Sequence, residues 1–259
     1  MIQRKFIPLN DDVNKLMAFT PSLNLDWRNH QMIKSNPFQV ETLDAINHLR
    51  DEGWKIKGSY ENKGKNRKVV NQYIKLQHPD FSIMNNSKGT DAVAQMFVSN
   101  SCNGSSPLNL DLGAFRQVCS NGAVAFDSIG HTSIKHTIQG IESLGNIICG
   151  LNTKAQGVMQ EFEKLKHIHL KPSEIKELVI KAATIRFGNF DFNPEQLLKI
   201  VREEDKGNDL YTLFNRIQEN LTQTNRLHTY QGKAISGVND MKEDIRINQK
   251  LSELVYAYA

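Results

Sequence analysis

The feature that most limits the fold is a change of period near residue 134. Upstream, from Trp54 to Phe126, short runs alternate apolar with polar residues and end in turn residues; downstream, apolar residues recur three and four apart. WKIKGSYE, a Gly/Lys/Asn turn and RKVVNQYIKLQH read as a β-hairpin. DAVAQMFVSN is a further strand. After NGSS, LNLDLGAFRQV sets Leu108, Leu110 and Leu112 on one face before SNG turns the chain again. Asn103-Gly104 and Asn121-Gly122 are turn chemistry first, because both residue types tolerate positive φ. Strands grouped ahead of helices argue an α+β fold, an antiparallel β-meander crossed by a long helix, and not a parallel α/β sheet.

Helices frame the meander. VETLDAINHLRDEGW spaces Val40, Leu43, Ile46 and Leu49 three apart, and Gly53 ends that helix as a C-terminal cap. Residues 1–37, with Pro8, Pro21 and Pro37, predict an irregular arm holding one short helix near 12–18. From Ile134 to about His167, Ile138, Ile141, Leu144, Ile148 and Leu151 make one stripe, which Gly145, Gly150 and Gly157 weaken or interrupt. Pro172 and Pro194 each suit the first position of a further helix. DLYTLFNRIQENL is amphipathic through Leu210, Leu213, Phe214, Ile217 and Leu221, and a last helix is expected over about 239–258. The chain thus divides into an arm (1–37), an α+β core with a basic hairpin (38–170) and a helical C-terminal region (171–259).

Its 259 residues, 39% hydrophobic and 23% charged, suffice to bury a core and lie far from the composition of disorder. No run of about 18 apolar residues occurs, so no membrane span is expected. The first residues lack the apolar stretch of a signal peptide, and a cytoplasmic protein is expected, in the host cell if a phage encodes it. Cys102, Cys119 and Cys149, odd in number and without a CxxC pair, predict free thiols in place of a disulfide frame or zinc knuckle.

The net charge of +4 says little about partners until its distribution is read. Between Gly53 and His78 stand Lys55, Lys57, Lys63, Lys65, Arg67, Lys68 and Lys75 against Glu61 alone; seven minus one gives +6, more than the whole chain carries. Trp54, Tyr60 and Tyr73 interleave with them. Single-stranded nucleic acid is held by such a mixture, cations following phosphates and rings stacking on bases at about 1–3 kcal/mol each. The competing reading is a solvated hairpin whose lysines keep an exposed sheet edge from pairing with another chain. Arg116, between Phe115 and Gln117, could pair with Asp111 or offer its planar fork to a phosphate.

Enzymatic readings rest on less. Cys119 at a strand end, with His131 and His136 near it in sequence, could form a nucleophile and base, although a packed thiol is the simpler account. The pairs His131/His136 and His167/His169 lack a carboxylate or cysteine at ligand spacing. Neither GxxxxGK[ST] nor GxGxxG is present, and Asp80, Asp91 and Asp111 form no paired motif. No catalytic residue, metal or cofactor is assigned.

SNSCNGSSPLNLDLGAFRQVCSNGAVAF resembles the signature of a family of phage and plasmid proteins of unknown function: a strand ending in SNS, a turn with GSS, then FRxVCxNG. The resemblance continues in Lys135-His136-Thr137, LYTLFNRIQENLT and IRINQKLSEL and covers about residues 38–259. Cys102 stands where histidine is usual in that turn and Ala123 where leucine is common, so no role of the turn histidine carries over. The order helix, Gly-Trp, basic hairpin, antiparallel strand and long helix is also similar to the core of the single-strand annealing recombinases of phages and eukaryotes. In those proteins the hairpin and the crossing helix form a positive groove, and protomers associate into rings or filaments. The two resemblances together imply a DNA-metabolism protein that binds single-stranded DNA, promotes strand annealing without ATP and forms a homo-oligomer. Lys55, Lys57, Lys63, Lys65, Arg67, Lys68 and Arg116 would neutralise phosphates, and Trp54, Tyr60 or Tyr73 would stack on bases. The alternatives are a counter-defence protein that binds a host protein through the same basic surface, and a Cys- or metal-dependent enzyme.

Overall fold

The computed structural model describes residues 6–25, 38–63, 70–85, 89–116 and 124–259. Six strands form one antiparallel sheet in chain order: β1 (Ile7–Pro8), β2 (Lys55–Lys63), β3 (Val70–Asn85), β4 (Gly89–Ser101), β5 (Leu108–Arg116) and β6 (Val124–Ile134). The helices α1 (Val13–Phe19) and α2 (Thr42–Asp51) precede β2. Four more follow β6: α3 (Ile138–Lys164), α4 (Pro172–Phe187), α5 (Leu210–Thr222) and α6 (Met241–Tyr256). The α+β class, the meander and the helical C-terminal region are as the patterning implies.

Because successive strand residues point to opposite faces, the sheet has two unlike sides. Ile74 and Leu76, Met96 and Val98, and Leu110 and Leu112 are fully buried on one of them, where α3 lies across β3 to β6. Residues of the opposite parity, Asn71, Tyr73, Lys75, Gln95, Ser99, Asn109 and Asp111, make the other side polar.

Local chemistry sets the boundaries. Gly53 closes α2 with φ +95°, and a Cβ there would lie 2.8 Å from Nε2 of His78, so only glycine fits. The helix α3 runs unbroken for 27 residues, contrary to the expected weakening by glycine. Gly150 and Gly157 sit on its solvent side, while Leu144, Ile148, Leu151, Ala155, Val158, Met159 and Phe162 bury the opposite one. That burial outweighs about 1 kcal/mol per glycine. Ile138 and Ile141, expected in the stripe, are 45% and 43% exposed. Pro194 opens only the 3-10 turn Pro194–Leu198. The side-chain amide of Asn220 donates to the carbonyls of Leu197 (3.0 Å) and Lys199 (2.8 Å), drawing those acceptors onto α5 and away from a helical ladder.

Residues 6–25 run along the outer edge of β2. Ile7 and Pro8 pair with Ser59 and Gly58; Leu9 N–H donates to Lys57 O (3.3 Å) and Asp11 N–H to Ile56 O (2.8 Å); Ile56 N–H donates to Asp11 Oδ1 (3.0 Å). Further along, Ser22 N–H donates to Glu61 Oε1 at 2.8 Å. In the C-terminal third α5 is buried over its whole length, packs on α3 through edge-on rings of Phe162 and Phe214, and meets α6 through Gln218 and Asn248. Among the described residues no helix is long and apolar enough to cross a membrane.

Candidate functional site

The basic hairpin is distributed along β2 and β3. Lys55 and Lys57 are exposed, with Lys55 Nζ 3.4 Å from Asp11 Oδ2 and Lys57 in the bulge between Ile56 and Gly58. Gly58 pairs with Lys75, whose ammonium lies over the Phe6 ring, 5.3 Å from its centroid. Burial first, and the neighbouring Lys57 second, push Lys75 down to about 8. Lys63 ends β2 opposite Val70. Lys65, Arg67, Lys68 and Cys119 lie outside the described residues.

Arg116 pairs with Ala92 near the start of β4, whereas Asn71, beside the hairpin turn, pairs with Ser101 at its end. Nine residues of strand separate the two, about 30 Å at ~3.3 Å each. The sheet therefore does not bring the Arg116 backbone to the Lys63–Val70 pair.

Two of the expected stacking rings require correction. Trp54 is 0% exposed; its Nε1–H donates to Asn152 Oδ1 at 3.1 Å, and its ring meets His78 edge-on at 5.3 Å. Asn152 in turn donates to Glu52 Oε2 at 2.9 Å, so Trp54 fastens the end of α2 to α3 and cannot stack on a base. Tyr73 is 4% exposed, its ring stacked on half-buried Tyr60 with centroids 6.0 Å apart. With so little of the ring exposed, Tyr73 offers no open face on which a base could stack.

The histidine pair considered for metal or catalysis is divided between two jobs. Nδ1 of His136 accepts from Val40 N–H at 3.0 Å, so Nε2 carries the proton and donates to Ser106 O at 2.8 Å, making this ring a strut. No three His, Cys, Asp or Glu side chains cluster among the described residues. Cys102 and Cys149 are free; burial pushes the Cys102 thiol up, away from a reactive thiolate.

The polar side of the sheet and α6 border an open cavity of about 320 Å³. Asn71 and Tyr73 enter it from β3, Ser99 from β4, Asp111 from β5, His131 from β6 and Gln249 from α6. Asp111 is 3% exposed; its Oδ1 lies 2.6 Å from Nδ1 of His131 and accepts from Gln249 Nε2 at 3.2 Å. The hydrogen bond to Asp111 holds His131 above the ordinary imidazole range, against the effect of burial. An irregularity places this pair: Asp111 faces His131, but Gly113 faces Phe126, so β6 bows outward between them. Gly130 permits it, since a Cβ there would lie 2.8 Å from the Leu112 carbonyl oxygen. Sequence reasoning missed this pair. Its signal was parity: Asn109 and Asp111 alternate with Leu108, Leu110 and Leu112, opposite in face to the apolar residues.

Three of the segments quoted for the family resemblance converge here. SNS supplies Ser99 and Asn100, GSS supplies Ser106, which His136 holds by its carbonyl, and IRINQ supplies Ile245, Arg246 and Gln249. The model of the family described as Domain of unknown function (DUF932) matches residues 34–251. This chain belongs to the DUF932 family. Two Escherichia coli K12 proteins, UPF0380 protein YfjQ and UPF0380 protein YafZ, are each 30% identical to it over 178 residues, 61% of this chain and 60% of the relative. The chain thus spans less than two thirds of the length of these relatives. No solved structure matches. The DUF932 match takes in every cavity residue from Asn71 to Gln249 and leaves out residues 6–25, which cover the edge of β2.

Proposed function

We propose that this chain binds single-stranded DNA in phage or plasmid DNA metabolism and promotes annealing of complementary strands without ATP. The observation that carries the reading is the cover on β2. Lysines guarding an open edge would account for the hairpin's charge without any ligand, but Ile7, Leu9, Asp11 and Ser22 already occupy that edge. Lys57 nevertheless crowds Lys75 enough to help lower it to about 8, a repulsion that a phosphate would relieve. From Lys55 and Lys57 the strand leads through Lys63 into the segment with Lys65, Arg67 and Lys68. Annealing asks for no bond chemistry, only a neutralised backbone with its bases held open to a complement.

The test is anisotropy of a labelled, unstructured oligonucleotide at several salt concentrations, beside a variant with Lys63, Lys65, Arg67 and Lys68 changed to alanine. If six phosphates are engaged, the logarithmic salt slope is about −4, at roughly −0.7 per phosphate. The variant weakens binding and flattens the slope, and the wild type accelerates pairing of complementary strands. A slope near zero, or unchanged binding by the variant, sinks the proposal. A salt-sensitive complex with an acidic protein, without affinity for oligonucleotides, would assign the basic surface to a host protein instead.

A further inference from the structure

We propose that the cavity beneath α6 receives one unpaired nucleobase of the bound strand and reads its hydrogen-bonding edge through Asn71, Tyr73, His131 and Gln249, an inference that rests on the single-stranded DNA reading above. Its size is the first ground. A volume of about 320 Å³ stands at the lower end of the ~300–1,000 Å³ typical of small-molecule sites, room for a base or nucleoside and not for a length of polymer.

Charge is the second ground. His131 is held by Asp111 at 2.6 Å, and Arg246 by Glu243 through Nε (2.8 Å) and a terminal nitrogen (2.7 Å), with the same nitrogen donating to Ile185 O at 2.9 Å. Each cation on the lining is matched by its own carboxylate, so the site offers no spare charge to a free anion and suits a neutral, polar ligand.

The open polar ends are the third. Among the described residues the Tyr73 hydroxyl, the Asn71 amide, Oε1 of Gln249 and Nε2 of His131 have no hydrogen-bond partner, yet all four residues line the same cavity. None of these four atoms is among the fully buried, unpaired side-chain atoms of the described residues, so each opens to the cavity and can exchange water for the edge of a ligand. An amide, a phenol, a carbonyl and an imidazole nitrogen supply donors and acceptors side by side, which is how the edge of an extruded base is read. Ile245 and Pro107 add the apolar wall that a planar ring requires.

Position is the fourth. Asn71 pairs with Asn62, one step from the Lys63–Val70 pair that closes the described part of the hairpin. The end of the cavity marked by Asn71 therefore borders the end of β2, from which the sequence continues into the basic segment.

The experiment compares the full chain on two oligonucleotides of equal length, one of thymidine and one abasic throughout, using wild type, Asn71→Leu and Gln249→Ala. Near-ultraviolet circular dichroism confirms that both variants fold. Wild type is expected to favour the thymidine strand by on the order of tenfold. Both variants should bring that ratio toward one while leaving the salt slope and the affinity for the abasic strand unchanged. A wild-type ratio near one, or a ratio that neither variant moves, overturns the base cavity and leaves the hairpin reading standing. If wild type binds neither strand, the hairpin reading has failed, and the cavity is decided by saturation-transfer NMR with free deoxynucleosides. Transfer lost in Asn71→Leu supports it, and no transfer to any of the four overturns it.

Discussion

Asp111 and His131 face each other across β5 and β6 with 2.6 Å between Oδ1 and Nδ1, the carboxylate buried and the imidazole half open to the cavity. The hydrogen bond to Asp111 raises His131 above 6.5. A histidine whose folded value exceeds its unfolded one contributes stability that is complete below about 6.5 and is lost as pH rises through the folded value. The urea midpoint of the wild type should therefore fall as pH is raised from mildly acidic through neutral. Asp111→Asn should flatten that fall, and an equal fall in both proteins would show that this pair contributes nothing to it.

Lys75 has the opposite sign. Its folded value of about 8 lies below the unfolded 10.5, so between those values the unfolded chain holds the extra proton and stability rises with pH. Lys75→Met should abolish the rise. If phosphate settles beside Lys57 and Lys75, binding above pH ~8 draws in a proton. Calorimetric titration with an oligonucleotide in two buffers of different ionisation heat should then show proton uptake by the wild type and none by Lys75→Met. Equal observed heats in the two buffers would place the phosphates elsewhere.

How legible these features were depends on whether they are local. The meander, the Gly53 cap and the helix over α5 follow from alternation, turn residues and a 3.6 period, all contained within a few residues of chain. The cavity is not local: Tyr73, Asp111, His131 and Gln249 come from four elements, and only sheet register with the docking of α6 joins them. Trp54 shows the reverse error. Its lysine neighbours, Lys55 and Lys57, point to an exposed ligand face, but Asn152, nearly a hundred positions away, takes its indole N–H into the core.

That burial is directly measurable. The chain has two tryptophans, so Trp27→Phe leaves Trp54 alone. Its emission should be blue-shifted, resist acrylamide and stay unchanged when an oligonucleotide binds. Quenching by the oligonucleotide would return Trp54 to the interface. Trp54→Ala should cost about 3–5 kcal/mol, as large aromatic truncations in a packed core do.

The C-terminal third rests on a buried charge that the amphipathic reading of DLYTLFNRIQENL did not disclose. Glu219 of α5 is 1% exposed and accepts from Arg202 at 2.5 and 2.9 Å and from Arg226 at 3.0 Å, while Arg202 also lies 3.6 Å from Asp205. Removing only the Glu219 carboxylate leaves the Arg226 guanidinium without its partner and Arg202 with Asp205, whereas removing all four charges, that of the buried Asp205 included, leaves no buried charge uncompensated. Glu219→Ala should therefore destabilise by about 3–5 kcal/mol in urea, and the fourfold change Glu219→Met, Arg202→Met, Arg226→Met, Asp205→Asn should cost far less. Urea is the denaturant to use, since guanidinium salt screens the interaction under test. A loss below ~0.5 kcal/mol for Glu219→Ala, the range of an ordinary surface change, would mean that the three side chains are solvated and that α5 is held by its apolar contacts with Phe162 and α6 alone.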